Sequence, residues 1–356
     1  MRVALAIGDA AGIGPELAAK IVADAQANLG DLIVIGDARL LEKGAQTAGV
    51  KIDLPVISTA DLAKPLPAGS VLLDLRNCDP ASVPLGKSSE AGGRASLQNF
   101  ATALLLGKAG IAGVCAFTPF NKHSMRLARS SYVDEIGFVD AVIEAEQSGR
   151  EFNVLDEVWN ARVTSHIPLS KVASTITTER VANSLKLTSE VMTAAGIPSP
   201  RIGVAALNPH AGDGGNFGHE DDEVIAPAIE IAKSQGIDVT GPVPSDTVFV
   251  RAIKGGEFDA VMTMYHDQGQ IAMKLIGFDR GVTLIAGYPF PIVTPAHGTA
   301  FDIAGQGRAD TGATFNAIAL GRKLAGLQPR PPATEEDRQH AAGAIAALTE
   351  PEVLAG

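Results

Sequence analysis

Gly8-Asp9-Ala10-Ala11-Gly12-Ile13-Gly14-Pro15-Glu16 follows the apolar run Val3–Ile7 and leads into the helical pattern Pro15–Ala27. Strand, glycine-punctuated turn and helix in this order open a βαβ unit. Pro15 suits a first helical position, and Glu16 stands where the positive end of a helix favours an acid. Two readings of the glycines stand side by side. They either present backbone amides to an anion at a helix N-terminus, or make a tight turn that only glycine fits. The run is G-x-x-x-G-x-G and not G-x-G-x-x-G, so it is not read as a Rossmann fingerprint.

The alternation continues along the chain. Strands are expected at Leu32–Ile35, Val71–Leu73, Gly113–Phe117, Ala161–Thr164, Ile202–Ala206, Ala260–Met264 and Gly281–Ile285. Helices are expected at Ala91–Ala109, Asp134–Glu146, Thr178–Ala195, Asp222–Gln235, Asp246–Ile253, Ala313–Leu324 and Glu335–Leu348. Such a pattern implies α/β architecture, with parallel or mixed sheets covered by helices. At 356 residues the chain exceeds the size at which one core keeps growing, so two domains are expected. A net charge of −11 argues against nucleic acid or an anionic membrane as partner. Cys78 and Cys115 stand in unrelated contexts and read as reduced thiols of a cytoplasmic protein. The apolar N-terminal run is too short for a signal peptide, and no stretch is long enough to span a bilayer.

Three of the seven histidines sit in polar, glycine-punctuated signatures: Thr164-Ser165-His166-Ile167-Pro168, Asn208-Pro209-His210-Ala211-Gly212 and Tyr265-His266-Asp267-Gln268-Gly269. All three segments read as strand ends running into loops. Imidazoles so placed can converge on one cation and leave a coordination position open. The plain alternative is three unrelated loop histidines, since no short spacing ties them together. A second glycine-rich run, His297–Gly307 (HGTAFDIAGQG), offers a histidine face for stacking, amides at glycine turns and an aspartate for a ribose contact. It reads as a nucleotide loop.

The opening turn and HGTAFDIAGQG resemble the isocitrate/isopropylmalate dehydrogenase fold. Ser165–Leu169 (SHIPL), Leu207–Gly215 (LNPHAGDGG), Gly241–Phe249 (GPVPSDTVF) and Met264–Gly269 (MYHDQG) narrow the match. In order, and over essentially the whole chain, the set resembles the 4-hydroxythreonine-4-phosphate dehydrogenase family. The resemblance implies two α/β domains with mixed sheets flanked by helices. Residues 1–118 plus 272–356 would carry the nucleotide loop, and 119–271 most metal ligands and the dimer interface. It implies a homodimer with the site near that interface. One divalent cation (Zn²⁺, Mg²⁺, Mn²⁺ or Co²⁺) would be held by His166, His210 and His266, one of them reaching across the dimer. It also implies oxidation of a hydroxy acid by NAD or NADP and loss of carbon dioxide.

Individual roles follow from the same resemblance. Asp246 and Asp267 are the carboxylates expected as base or as partner of a ligating imidazole, with helix capping the plain alternative for Asp246. Lys122 matches a family lysine that donates a proton, against the reading of a solvated surface lysine. Lys274, Thr283 and Asn208 are expected to meet substrate. His297, Gly298, Thr299, Ala300 and Asp302 are expected to meet the nucleotide.

The chain also departs from the family pattern. Counted without gaps, Glu135-Ile136 fall where the family has His-Thr, and Thr283 and Ile292 where it has asparagine and arginine. An arginine fork suits a phosphate and isoleucine cannot replace it. The expectation is therefore a paralogue acting on a non-phosphorylated hydroxy acid such as a carboxylated cis-dihydrodiol. If Arg280 or Arg126 rebuilds the anion site, 4-hydroxythreonine 4-phosphate, threonate 4-phosphate or erythronate 4-phosphate returns as substrate. Two other classes compete: a His₃-metal hydrolase or lyase without nucleotide, and a ligand-binding protein without turnover. Binding of NAD(H) discriminates the first, and turnover with metal and NAD the second.

Overall fold

The computed structural model describes residues 1–24 and 29–348. The last three positions of the helix expected at Pro15–Ala27 lie outside them. The chain forms two compact units, Met1–Arg150 with Val282–Gly356, and Glu151–Gly281. The family's α/β class is what the structure has.

In the first unit the elements run β1 (Val3–Ala6), α1 (Gly14–Ala23), β2 (Leu32–Gly36), α2 (Ala38–Ala48), β3 (Val56–Ile57), β4 (Val71–Asp74), α3 (Glu90–Lys108), β5 (Val114–Phe117), α4 (Lys122–Ala128) and α5 (Glu135–Ile143). The second unit adds β6 (Arg150–Val154), β7 (Trp159–Arg162), α6 (Val172–Thr175), α7 (Thr178–Ala194), β8 (Ile202–Ala205), α8 (Ala226–Ser234), β9 (Val239–Val243), α9 (Ser245–Ile253), β10 (Ala260–Thr263) and α10 (His266–Gly277). The chain returns to the first unit with β11 (Val282–Ala286), β12 (Ile292–Pro295), α11 (Gly312–Leu327) and α12 (Glu335–Leu348).

Strand order in the first unit is β3-β4-β2-β1-β5-β12-β11, parallel throughout except for the β11–β12 pair. Strands β1, β2 and β5 are buried at every residue, as parallel strands covered on both faces must be. Phe100 on α3 anchors one face, with its ring 4.8 Å from Phe117 and 5.1 Å from Phe120. Helix α3 starts where the Ser89 side chain accepts the Gly92 N–H, and α5 where Asp134 accepts that of Gly137.

In the second unit the order is β6-β7-β10-β8-β9, with β7, β10, β8 and β9 parallel and β6 antiparallel to β7. Its core gathers Val243, Val248, Phe249, Phe258, Val261 and Met273. The unit boundaries fall later than the expected 118 and 271. Residues 122–143 pack as α4 and α5 on α3, which keeps them with the first unit.

Candidate active site

Four of the chemically marked segments leave the carboxyl ends of neighbouring parallel strands in the second unit. His166 follows β7, His266 follows β10, His210 follows β8 and Asp246 follows β9. In open α/β sheets ligands bind at that edge. Hydrogen bonds from one side chain tie three of the segments together. Gln268 accepts the Met264 N–H at 2.6 Å and donates from Nε2 to Ala206 O at 2.7 Å and to Ser245 Oγ at 2.9 Å. Thr164 adds the fourth, its Oγ1 donating to Met264 O at 2.7 Å. Sequence reading missed Gln268 as this hub, although it lies inside the MYHDQG motif.

The histidine segments are not all loops. His266 is the first residue of α10, so its imidazole stands at the positive end of a twelve-residue helix. Asp267 Oδ1 lies 2.7 Å from His266 Nδ1, which leaves Nε2 to face a ligand. A carboxylate behind an imidazole is the usual support of a metal-bound histidine. The ring centroids of His166 and His266 are 5.7 Å apart. Two imidazoles on one tetrahedral cation at about 2.1 Å would have centroids roughly 5 Å apart, so the pair fits a shared ion. His210 lies in a tight loop where it, Ala211 and Asp213 all adopt left-handed φ of 54°, 55° and 47°. Non-glycine residues hold such a conformation only when surroundings enforce it, and they concentrate at functional sites. Buried Asp221 anchors the entrance to this loop, accepting the N–H groups of Leu207 and Asn208 at 2.8 and 3.0 Å. Among the described residues, no three His, Cys, Asp or Glu side chains of one chain form a ready metal cluster. The structure thus pairs His166 with His266 and leaves His210 outside the pair.

The other expected residues fall as follows. Asp246 is exposed in the first turn of α9 and makes no capping bond, so the capping alternative fails. Asn208 Nδ2 donates to Glu220 Oε2 at 2.8 Å, leaving its Oδ1 and its second N–H for a substrate. Lys274 is exposed in the last turn of α10, and Thr283 is half-buried on β11.

In the first unit the same edge rule holds. The opening turn, the Asn121-Lys122 segment and the His297 loop follow β1, β5 and β12, three neighbouring parallel strands. The opening glycines prove to be a tight seat, not an anion cradle. A Cβ on Gly8 would lie 2.2 Å from Pro119 O, and one on Gly12 would lie 2.7 Å from Thr299 O. The first turn of α1 is buried as well. Gly298 has open space around its Cβ position, and Asp302, Gly305 and Gln306 are exposed. The loop is thus open to solvent at Gly298, Asp302, Gly305 and Gln306, whereas the opening turn is packed shut. His297 turns its Nδ1 to Gly298 O at 3.1 Å, Thr299 is buried, and Ala300 takes a left-handed φ of 44°.

Lys122 opens α4, capped by Asn121, and its ammonium lies 2.9 Å from Glu135 Oε2. Glu135 is the first residue of α5, so the departure from His-Thr places a carboxylate against the candidate proton donor. Its charge is met by Lys122. The reading of Ile292 is corrected too. That side chain is fully buried in the core cluster of the first unit, where an arginine head would also have to be buried. Isoleucine there is core packing and says nothing against a phosphate. Arg280 is held by Glu157 at 2.7 Å, whereas Arg126 is exposed one turn along α4 from Lys122.

Cys78 and Cys115 are separate buried thiols, and burial pushes Cys78 up to about 11. Among the described residues no helix is long and apolar enough to cross a membrane.

Comparison with known proteins bears on most of the chain. Residues 28–321 match the family model described as pyridoxal phosphate biosynthetic protein PdxA. The chain is 54% identical over 324 residues, 91% of its length and 93% of the relative's, to "Putative 4-hydroxythreonine-4-phosphate dehydrogenase 2" of Rhizobium meliloti. It is 35% identical over 327 residues, 91% of its length and 96% of the other's, to "Putative D-threonate 4-phosphate dehydrogenase" of Symbiobacterium thermophilum. Among solved structures it is similar to a 4-hydroxythreonine-4-phosphate dehydrogenase from Burkholderia phymatum, at TM-score 0.72 and 32% identity, covering 91% of this chain and 98% of that one. A terephthalate 1,2-cis-dihydrodiol dehydrogenase from Burkholderia xenovorans stands further off, at TM-score 0.61 and 26% identity, covering 92% and 98%.

Proposed function

The chain belongs to the PdxA family, and we propose that it is an NAD(P)-dependent dehydrogenase that oxidises the hydroxyl β to the carboxylate of 4-hydroxythreonine 4-phosphate and then releases carbon dioxide. The observation that carries this reading is the 54% identity over nearly the full length of both chains to a relative named for that substrate. It replaces the non-phosphorylated dihydrodiol expected above. The dihydrodiol enzyme is the more distant relative, and the missing arginine at Ile292 has lost its force. D-Threonate 4-phosphate is the second reading, supported by the 35%-identical relative named for it.

A divalent cation (Zn²⁺, Mg²⁺, Mn²⁺ or Co²⁺) on His166, His210 and His266 would supply positive charge to the substrate oxygens, and the nicotinamide would accept two electrons. Because one chain brings only His166 and His266 together, a homodimer that completes the set is part of the proposal. Asp246, exposed at the mouth of α9, takes the hydroxyl proton. Asp267 holds the His266 ring through Nδ1 and fixes which nitrogen is offered. Lys122 Nζ, held in place by its ion pair with Glu135, returns a proton to the carbon that the carboxylate leaves. Lys274, Thr283 and Asn208 Oδ1 bind the substrate's polar groups, and Arg126 supplies the guanidinium for its phosphate. His297, Gly298, Thr299, Ala300 and Asp302 receive the nucleotide.

The experiment compares NAD(P)H formation from 4-hydroxythreonine 4-phosphate, D-threonate 4-phosphate, their dephosphorylated forms and a carboxylated cis-dihydrodiol, with and without divalent metal. The phosphorylated acids are expected to exceed their dephosphorylated twins in kcat/KM by about 100-fold, as loss of a charge-assisted phosphate contact requires. Preference for the dihydrodiol would reverse the assignment.

A further inference from the structure

We infer that the Glu16–Lys20 pair on α1 sets the His297–Gly307 loop in its binding shape, making Lys20 a positioning residue for the nucleotide. The inference rests on the reading of that loop as the nucleotide site. Lys20 Nζ donates to Gly307 O at 3.0 Å and to Ala309 O at 2.7 Å, and it lies 2.8 Å from Glu16 Oε1. The same Glu16 oxygen accepts the Ala309 N–H at 2.8 Å. All three protons of the ammonium therefore have acceptors, and both polar groups of the Ala309 backbone are bound. A lysine serving only to solvate a helix would point into water. This one has a side chain 22% exposed and is paired with a glutamate that is 2% exposed.

The entrance of the loop is held from the turn that leads into α1. Ile13 N donates to Thr299 O at 3.1 Å, and Gly12 lies against Thr299 with no room for a Cβ. Ala300 and Ile303 pack on Ile13, Leu17 and Ala309. Between these two anchors, Asp302, Gly305 and Gln306 stay exposed, and the turns at Ala300–Ile303 and Ile303–Gln306 supply the internal backbone bonds. A loop clasped at both ends is ordered before its ligand arrives, which removes an ordering cost from binding. The clasp touches no candidate substrate-binding or metal-binding residue. Its loss should accordingly weaken nucleotide binding and leave chemistry on bound substrate alone.

The test uses Lys20→Met, Lys20→Arg and Glu16→Gln in the full chain, with Gly298→Leu as the reference that obstructs the loop itself. Calorimetry with NAD and NADP in the absence of substrate reads binding, and amide hydrogen exchange reads the loop. Lys20→Met is expected to raise the nucleotide Kd about tenfold. It should speed exchange across 297–309 while kcat and the KM for substrate stay within about twofold. Lys20→Arg should recover part of the affinity, and Glu16→Gln, which keeps an oxygen for the Ala309 N–H, should fall between. If Lys20→Met does not fold, the last two variants carry the test. Unchanged nucleotide Kd in the Lys20 and Glu16 variants, with binding lost in Gly298→Leu, would overturn the clasp and keep the loop. Unchanged Kd in Gly298→Leu as well would overturn the loop reading and the clasp with it.

Discussion

Alanine in place of His266 is expected to lower kcat by about 10³-fold or more, the scale on which a catalytic cation stabilises developing charge. The same change should empty most of the bound divalent metal, read by elemental analysis of protein freed of loose ions. The fold should survive. The His266 side chain is 38% exposed, caps no helix, and belongs to none of the core clusters. Thermal unfolding within a few degrees of the parent would confirm that the loss is local. The reasoning is specific to the pair: His166 and His266 stand at a separation suited to one ion, and Asp267 supports His266 from behind. Full metal occupancy together with undiminished turnover in the His266→Ala protein would remove the imidazoles from the mechanism.

Methionine in place of Lys122 is expected to lower kcat by about 10²- to 10³-fold, the range for removal of a positioned proton donor. KM for the nucleotide should change little, since Lys122 lies outside the His297 loop. The Glu135 contact makes this prediction sharper than a bare lysine would. Lys122→Arg keeps the ion pair but not an acid of suitable strength, so it should be nearly as slow as the methionine variant. Steady-state kinetics of the two variants side by side decides the matter. If both turn over like the parent, Lys122 is a solvated surface lysine and Glu135 merely its partner.

Much of this was legible in the residues because the signals are local. The β-branched runs at Val3–Ala6, Leu32–Gly36 and Val114–Phe117 announce buried parallel strands, and Ser89 and Asp134 mark helix starts by their capping chemistry. Strand β12 stayed hidden because Pro289, Pro291 and Pro295 surround and enter it, and β9 because it contains Gly241-Pro242. Helix α10 was read as loop because Gly269 and the polar opening Tyr265–Gln268 break the apolar period that would reveal it. The three histidine motifs could be picked out singly. Their assembly could not, because it depends on Gln268 meeting Ala206 and Ser245, residues 62 and 23 positions away. Ile292 misled for a related reason. Aligned position says which residue is replaced, but only the pleat of β12 says that its side chain turns into the core.

The most direct measurement follows NADH and carbon dioxide together as the metal-loaded protein consumes 4-hydroxythreonine 4-phosphate. The account predicts one carbon dioxide for each NADH formed, because a ketone placed β to the carboxylate makes the second step follow from the first, at an efficiency near or above about 10⁴ M⁻¹s⁻¹. No nucleotide reduction with either this substrate or D-threonate 4-phosphate, under conditions where metal and NAD or NADP are shown to be bound, would contradict it.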